Sequence, residues 1–270
     1  MRVALVCFTV VCFLVLAGQS NAKIDNATIV ATWLFDEGSG QTVKDSSGNK
    51  NDGTITGDFV WSDGKFGKAL EFNGKNTIVD CGNGPSLDFN GQKNFSISAW
   101  VKSNNENMAS GMIVWKSLGC STWAQYGFGV GDIEGVGSSV NILSFYYRKS
   151  NGDAKEIVVD KTGIPVNEWV HVAGTYDGSL LSLYRNGELV ATQNSDGVPW
   201  ASTEKVYIGG DPGCGIRYIW SGLIDELLIF KTTLSIDDVK SLMEGYTSMG
   251  TTAISSADKL ATTWADVKSK

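Results

Sequence analysis

Short runs in which apolar and polar residues alternate, closed by turns of Gly, Asn or Asp, recur between residues 29 and 230. Alternation with period two sends successive side chains to opposite sides of an extended strand, so such a chain folds as sheet. ATIVATWLF places Ile29, Ala31, Trp33 and Phe35 on one side, and FSISAWVK does the same with Phe95, Ile97, Ala99 and Val101. Further runs are GMIVWKS, VNILSFYYRK, EIVVD, WVHVAGTYD, LLSLYRNG, ELVATQN, KVYIGG and SGLIDELLIF. Asp177-Gly178 and Asn186-Gly187 tolerate the positive φ of tight hairpins, which predicts a three-stranded meander over 169–193. With 32 Gly and only 4 Pro, turns of this kind are expected throughout.

One internal helix is expected, in LSIDDVKSLMEG. Ser235 caps it, Asp238 returns the capping-box bond, Gly245 stops it, and Ile236, Val239, Leu242 and Met243 form its buried stripe. Many short strands and one late helix predict an all-β fold, an antiparallel β-sandwich of two sheets with one short C-terminal helix.

Residues 1–22, MRVALVCFTVVCFLVLAGQSNA, read as a signal peptide: Arg2, an apolar run through Ala17, and small residues Ser20 and Ala22 before the cut. The run falls short of the roughly 20 residues a membrane-spanning helix needs, and no later run is long or apolar enough. A secreted or cell-surface protein without membrane insertion is expected, with a domain over 23–246 and a tail over 247–270. The tail places Leu260, Trp264 and Val267 at helical spacing and is either a frayed terminus or an element that docks to a surface or partner. Lys and Arg number 22 against 29 Asp and Glu, a net charge of −7 that losing Arg2 deepens. Nucleic acid and anionic membranes, which need a basic patch, are poor partners for such a surface.

Cys7 and Cys12 leave with the leader, so Cys81, Cys120 and Cys214 remain. An odd count in an exported chain means one bridge and a free thiol, or no bridge. Cys120 and Cys214 lie in Gly- and aromatic-rich loops and are the expected pair; Cys81, at a strand end in TIVDCGNG, is expected to stay reduced. Three isolated Cys and one His do not make a zinc site.

The stretch 45–53, DSSGNKNDG, allows two readings. Asp45 can open an Asx-turn closed by Asp52-Gly53, or the loop can gather oxygens from Asp45, Asn49, Asn51 and Asp52 around a hard cation. Asp225, in the otherwise apolar GLIDELLIF, needs a partner, because a buried unpaired carboxylate is costly. Alternation puts Leu223, Asp225 and Leu227 on one side and Ile224, Glu226 and Leu228 on the other.

In order, WLFDEGSGQTVKDSSGNKNDGTI, GKFGKALEFNG, FSISAWVK, WVHVAGTYDG, LYRNGE and GLIDELLIFKTTLS resemble the LamG-like jellyroll domains of the concanavalin A-like lectin/glucanase superfamily, over roughly residues 29–245. The resemblance implies a jellyroll sandwich. It also implies a structural calcium ion where the Asp-rich loop meets the terminal strand, with Asp45, an oxygen near Asn49 to Asn51, and Asp225 as ligands. It is less informative about function, since this fold hosts lectins, adhesion modules, glycosidases and spacers.

No catalytic constellation stands out. His171 is the only histidine and alternates with Trp169 and Ala173, as a sheet-face residue does. The G-x-S-x-G elbow is missing, and so is the E-x-D-x-x-E string of laminarinase-type relatives. Asp132 and Glu134 share a side, but in a Gly-rich loop poorly suited to raising an acid's pKa. The chain is therefore expected not to be an enzyme. Aromatic residues cluster in CSTWAQYGFG and GCGIRYIWSG, where Trp123, Tyr126, Arg217, Tyr218 and Trp220, extended by Tyr146, could form a glycan-binding rim or serve as core. The leading expectation is a non-catalytic module that recognises a glycan or an extracellular protein; a spacer and an atypical glycosidase are the alternatives.

Overall fold

The alternating runs fold as sixteen strands among the residues that the computed structural model describes, 24–117, 124–131, 141–150, 155–213 and 215–246. The first half holds β1 (Ile29–Trp33), β2 (Thr42–Val43), β3 (Gly53–Thr56), β4 (Phe59–Asp63), β5 (Lys68–Asn73), β6 (Ile78–Asp80), β7 (Phe95–Ser103) and β8 (Ser110–Lys116). The second holds β9 (Tyr126–Gly131), β10 (Leu143–Arg148), β11 (Lys155–Asp160), β12 (Val170–Tyr176), β13 (Leu180–Arg185), β14 (Glu188–Asn194), β15 (Val206–Ile208) and β16 (Ser221–Phe230), followed by helix α1 (Ile236–Leu242). The expected leader and tail lie outside the described residues, as do Cys120, Trp123, Asp132, Glu134 and Cys214.

Two eight-stranded sheets face each other. One runs β14-β13-β12-β7-β16-β5-β4, with β1 also paired to β16; the other runs β11-β10-β9-β8-β15-β6-β3-β2. The strand pairs are antiparallel, and the expected meander is β12, β13 and β14. Its second turn has Asn186 at φ 50° and Gly187 at φ 75°, the pair of positive values a tight hairpin requires.

β7 shows how alternation builds the core. Phe95, Ile97, Ala99 and Val101 enter the interior, while Ser96, Ser98 and Trp100 lie on the outer side of the sheet. Tyr126 and Phe128 on β9, with Phe145 and Tyr147 on β10, come from the opposite sheet to meet them. Phe95 lies at the centre, stacked on Phe89 at 4.9 Å and within 5.4–6.3 Å of the Phe145, Tyr176, Tyr147 and Tyr126 rings.

Two bulges depart from simple alternation. In β1 the register shifts between Ile29 and Ala31, so Val30 and Ala31 both join the main core while Ile29 packs outside it. In β16 the shift falls between Asp225 and Leu228, with Glu226 at φ 47°. Ile224 and Leu227 consequently both face the core and Asp225 points outward, which corrects the grouping of Asp225 with Leu227.

Helix α1 covers part of the outer side of the first sheet. Its capping box between Ser235 and Asp238 is formed, and Val239 and Leu242 pack with Ile29, Ala173, Leu228 and Phe230. Ile236 is 42% exposed and Met243 half-buried, so the buried stripe is narrower than its sequence spacing implies.

Replacing Phe95 with Ala should cost about 3–5 kcal/mol, as emptying an aromatic core site does, measured by urea unfolding. A loss below about 1 kcal/mol would place this ring outside the load of the core.

Candidate functional site

Three of the aromatic residues expected on a rim are framework instead. Tyr126 and Trp220 are fully buried in the main core, and the Tyr126 hydroxyl donates to the Leu87 carbonyl at 3.2 Å. Tyr146 is equally buried on the other side of the second sheet, among Met112, Trp115 and Ala124. Gly127 leaves the room its ring occupies, since a Cβ there would come within 2.6 Å of it. These positions alternate into packed layers, so none offers a ring to a ligand.

Arg217 and Tyr218 are placed differently. They line a concavity of about 360 Å³, together with Lys75, Asn105, Asn107 and Ser110. Three connections meet there, β5–β6, β7–β8 and β15–β16, each fastened by polar hydrogen bonds. In the first, Asn73 Oδ1 accepts from the Lys75 and Asn76 amides at 2.9 and 3.0 Å, and the Gly74 amide donates to the Trp220 carbonyl. In the second, Asn141 Nδ2 donates to the Glu106 carbonyl at 2.8 Å. In the third, Asp211 and Arg217 exchange backbone hydrogen bonds of 2.9 and 3.0 Å, closing a turn.

Side-chain contacts complete that turn. The Asp211 carboxylate is fully buried and accepts from Gly213 N at 2.8 Å and Arg217 Nε at 3.2 Å. Burial raises the Asp211 pKa, and these donors oppose the rise. Tyr218 has φ 54°, a left-handed conformation that a bulky side chain adopts only against a cost of about 1–2 kcal/mol. Its ring lies 5.8 Å from Trp115, and the Arg217 guanidinium sits 4.9 Å from its centroid. Sequence reasoning does not single out Lys75, Asn105, Asn107 or Ser110 as site residues; the first three are marked only by the polar turns NGKN and SNNEN, and Ser110 only opens β8.

As arranged, the residues of the 45–53 loop do not fit a calcium ion. Asp45 Oδ1 accepts from Thr32 N and Ser47 N at 3.0 and 2.9 Å, and Oδ2 from Asn51 N at 2.9 Å. Asp52 accepts from Asp45 N through Oδ1 and pairs with Lys44 through Oδ2, which lowers its pKa. Asn49 and Asn51 both direct amide donors at the Val30 carbonyl, where a cation would need acceptors. Asp225 Oδ2 accepts from Phe66 N at 3.0 Å, and burial pushes its pKa up to about 7, with the Glu226 charge adding to the effect. Among the described residues, no three His, Cys, Asp or Glu converge as a metal would require.

A larger cleft of about 540 Å³ adjoins this loop, lined by Lys50, Asp52, Thr54, Asp80 and Lys205 among others. Among the described residues no aromatic ring lines it, and its two acids are paired, Asp52 with Lys44 and Asp80 with Lys205. Size favours this cleft, but chemistry favours the smaller one, which combines a ring, a guanidinium and amides. Cys81, on the wall of the larger cleft, is a buried free thiol whose pKa burial raises.

His171 is 1% exposed and its Nε2 lies 2.9 Å from Ser98 Oγ, itself 1% exposed. Burial takes the imidazole pKa down to about 3. A neutral pair sealed beneath the sheet surface has no access to substrate.

The model of a family described as the concanavalin A-like lectin/glucanases superfamily, Laminin_G_3, matches residues 73–240. Mouse pappalysin-1 is 30% identical over 104 residues, 37% of this chain and 6% of that protein. Domain 4 of AbnA, an extracellular GH43 arabinanase from Geobacillus stearothermophilus solved in complex with arabinotriose, superposes with a TM-score of 0.61 at 21% identity. The match covers 80% of this chain and 98% of that domain. The binding domain of Paraclostridial mosquitocidal protein 1 superposes with a TM-score of 0.64 at 15% identity, over 82% of this chain and 53% of that one. At these identities the likeness is one of fold.

Two outcomes follow from this geometry. Unfolded His171 takes up a proton near pH 6.5 and folded His171 only near 3, so its contribution to stability is complete above 6.5 and falls as pH drops. Against a His171→Gln variant, the wild type should lose about 2 kcal/mol between pH 7.5 and pH 5 in chemical unfolding; parallel pH profiles would contradict the burial. For the 45–53 loop, excess calcium and chelator should give the same melting temperature, while Asp45→Ala costs at least about 2 kcal/mol through lost N–H bonds. A melting temperature raised by calcium would restore the cation loop.

Proposed function

The chain belongs to the concanavalin A-like lectin/glucanases superfamily, and from that premise we propose that it is an exported, non-catalytic module that recognises a glycan at the concavity of Arg217 and Tyr218. The observation that carries this reading is Tyr218. A strained backbone holds its ring at the concavity, and strain of that kind persists where the surrounding structure enforces it for a purpose. A sugar offers a CH face to such a ring and hydroxyls to the neighbouring amides and Ser110. Among the described residues no Asp or Glu lines this concavity, so none of them supplies the carboxylate pair of a glycosidase. The arabinotriose complex of the arabinanase domain, and a related structure of botulinum neurotoxin type C, whose cell entry depends on two ganglioside molecules, support saccharide recognition on this fold.

A glycan array probed with residues 23–270 tests the reading. Binding to one glycan class is expected, and Tyr218→Gly should weaken it at least about tenfold while stability stays within about 1 kcal/mol, since relief of backbone strain offsets lost packing. Trp220→Ala should instead cost about 3–5 kcal/mol as a core truncation. An array blank for the wild type, or binding untouched by Tyr218→Gly, would overturn the proposal.

A further inference from the structure

We infer that the saccharide taken by this concavity is acidic, with a carboxylate held between Arg217 and Lys75. The inference rests on the glycan-binding reading and deepens it. The chain as a whole is acidic, at −7, yet among the described residues both charged side chains lining this concavity are cations. The larger cleft, by contrast, sets Lys50 and Lys205 against Asp52 and Asp80. Glu106 belongs to the β7–β8 loop but not to the lining, and there its backbone carbonyl is engaged by Asn141.

Arg217 is already oriented. Its Nε is spent on the buried Asp211 carboxylate and its plane is held against Tyr218, while the side chain remains 39% exposed. The two terminal NH₂ groups have no partner among the described residues. That free edge matches the two oxygens of a planar carboxylate, and little rotamer freedom is left to lose when the bonds form. Lys75 stands exposed on the Asn73-anchored turn and has no ion-pair partner among the described residues. Asp211 offsets one of the two positive charges, leaving a net charge of about +1 that suits a monoanionic sugar. Asn105, Asn107 and Ser110 remain for the ring hydroxyls.

The test is calorimetric titration with three probes of equal length: an oligogalacturonate, its methyl-esterified counterpart, and a sulfated neutral oligosaccharide. The acid should bind about tenfold or more tightly than the ester, and weaken as NaCl rises from about 0.05 M to about 0.5 M. Lys75→Glu, at an exposed turn, should abolish the preference without moving the melting temperature. Arg217→Lys should reduce it while keeping a cation beside Asp211. Equal affinity for acid and ester, or a preference that survives Lys75→Glu, would overturn the inference and leave glycan recognition standing. Tighter binding of the sulfated probe would overturn the carboxylate assignment. If neither these probes nor the array yields a ligand, both readings fall together.

Discussion

The bulge at Asp225 and Glu226 is the constraint around which the first sheet is arranged. An extra residue in the middle of β16 turns two carboxylates out of the strand's alternation, and both become anchors for distant backbone. Asp225 accepts from Phe66 N at 3.0 Å, and Glu226 accepts from Tyr246 N at 2.7 Å. A third carboxylate, Asp36, takes the amide of Lys68 at 2.8 Å. Asp225 and Asp36 lay the β4–β5 turn across the sheet, with the Phe66 ring 6.3 Å from Trp100 and Lys65 Nζ 4.3 Å from the Trp100 centroid, while Glu226 holds the chain after α1. Gly64 has to be glycine here, because a Cβ would stand 2.7 Å from Asp225 Oδ2. Burial raises the pKa of both Asp225 and Glu226, and the amide hydrogen bonds offset part of that cost.

Closing that side has a consequence for recognition. Helix α1 and the β4–β5 turn cover the outer face of β7, β12 and β16, and the aromatic wealth of β9 and β10 is spent on the interior and on the cluster around Trp115. Two features stay accessible among the described residues: the larger cleft beside the 45–53 loop, and the meeting of three connections, where the chain passes between sheets and hydrogen bonds bind loop to loop. A site built where the three connections meet has walls fastened loop to loop, which fits a fold that carries many ligands on one frame.

Local chemistry made much of the fold legible. The meander declared itself through Asp177-Gly178 and Asn186-Gly187, the helix through Ser235 and Asp238, and β7 through strict alternation from Phe95 to Val101. Strands β2 to β6 carry little signal in sequence: they are two to six residues long, and although β2–β3 and β4–β5 pair locally, β5 and β6 join their sheets through β16 and β15 far along the chain. Among site residues, Arg217 and Tyr218 were legible as ring and cation in a Gly-rich loop, whereas Tyr126, Tyr146 and Trp220 looked the same in sequence and proved to be packing.

The sequence by itself therefore determined the two-sheet sandwich, its late capped helix and its acidic, glycine-turned surface, because periodicity, capping and turn propensity act between residues close along the chain. Tertiary structure alone decided three other matters. It set the bulges that reverse the sides of Ile29 and Asp225, directed three backbone amides at the oxygens of Asp45, and brought Lys75 to Arg217 across 142 positions of chain. Those outcomes depend on which distant atoms reach a given oxygen or ring first, and spacing along the chain carries no record of that competition.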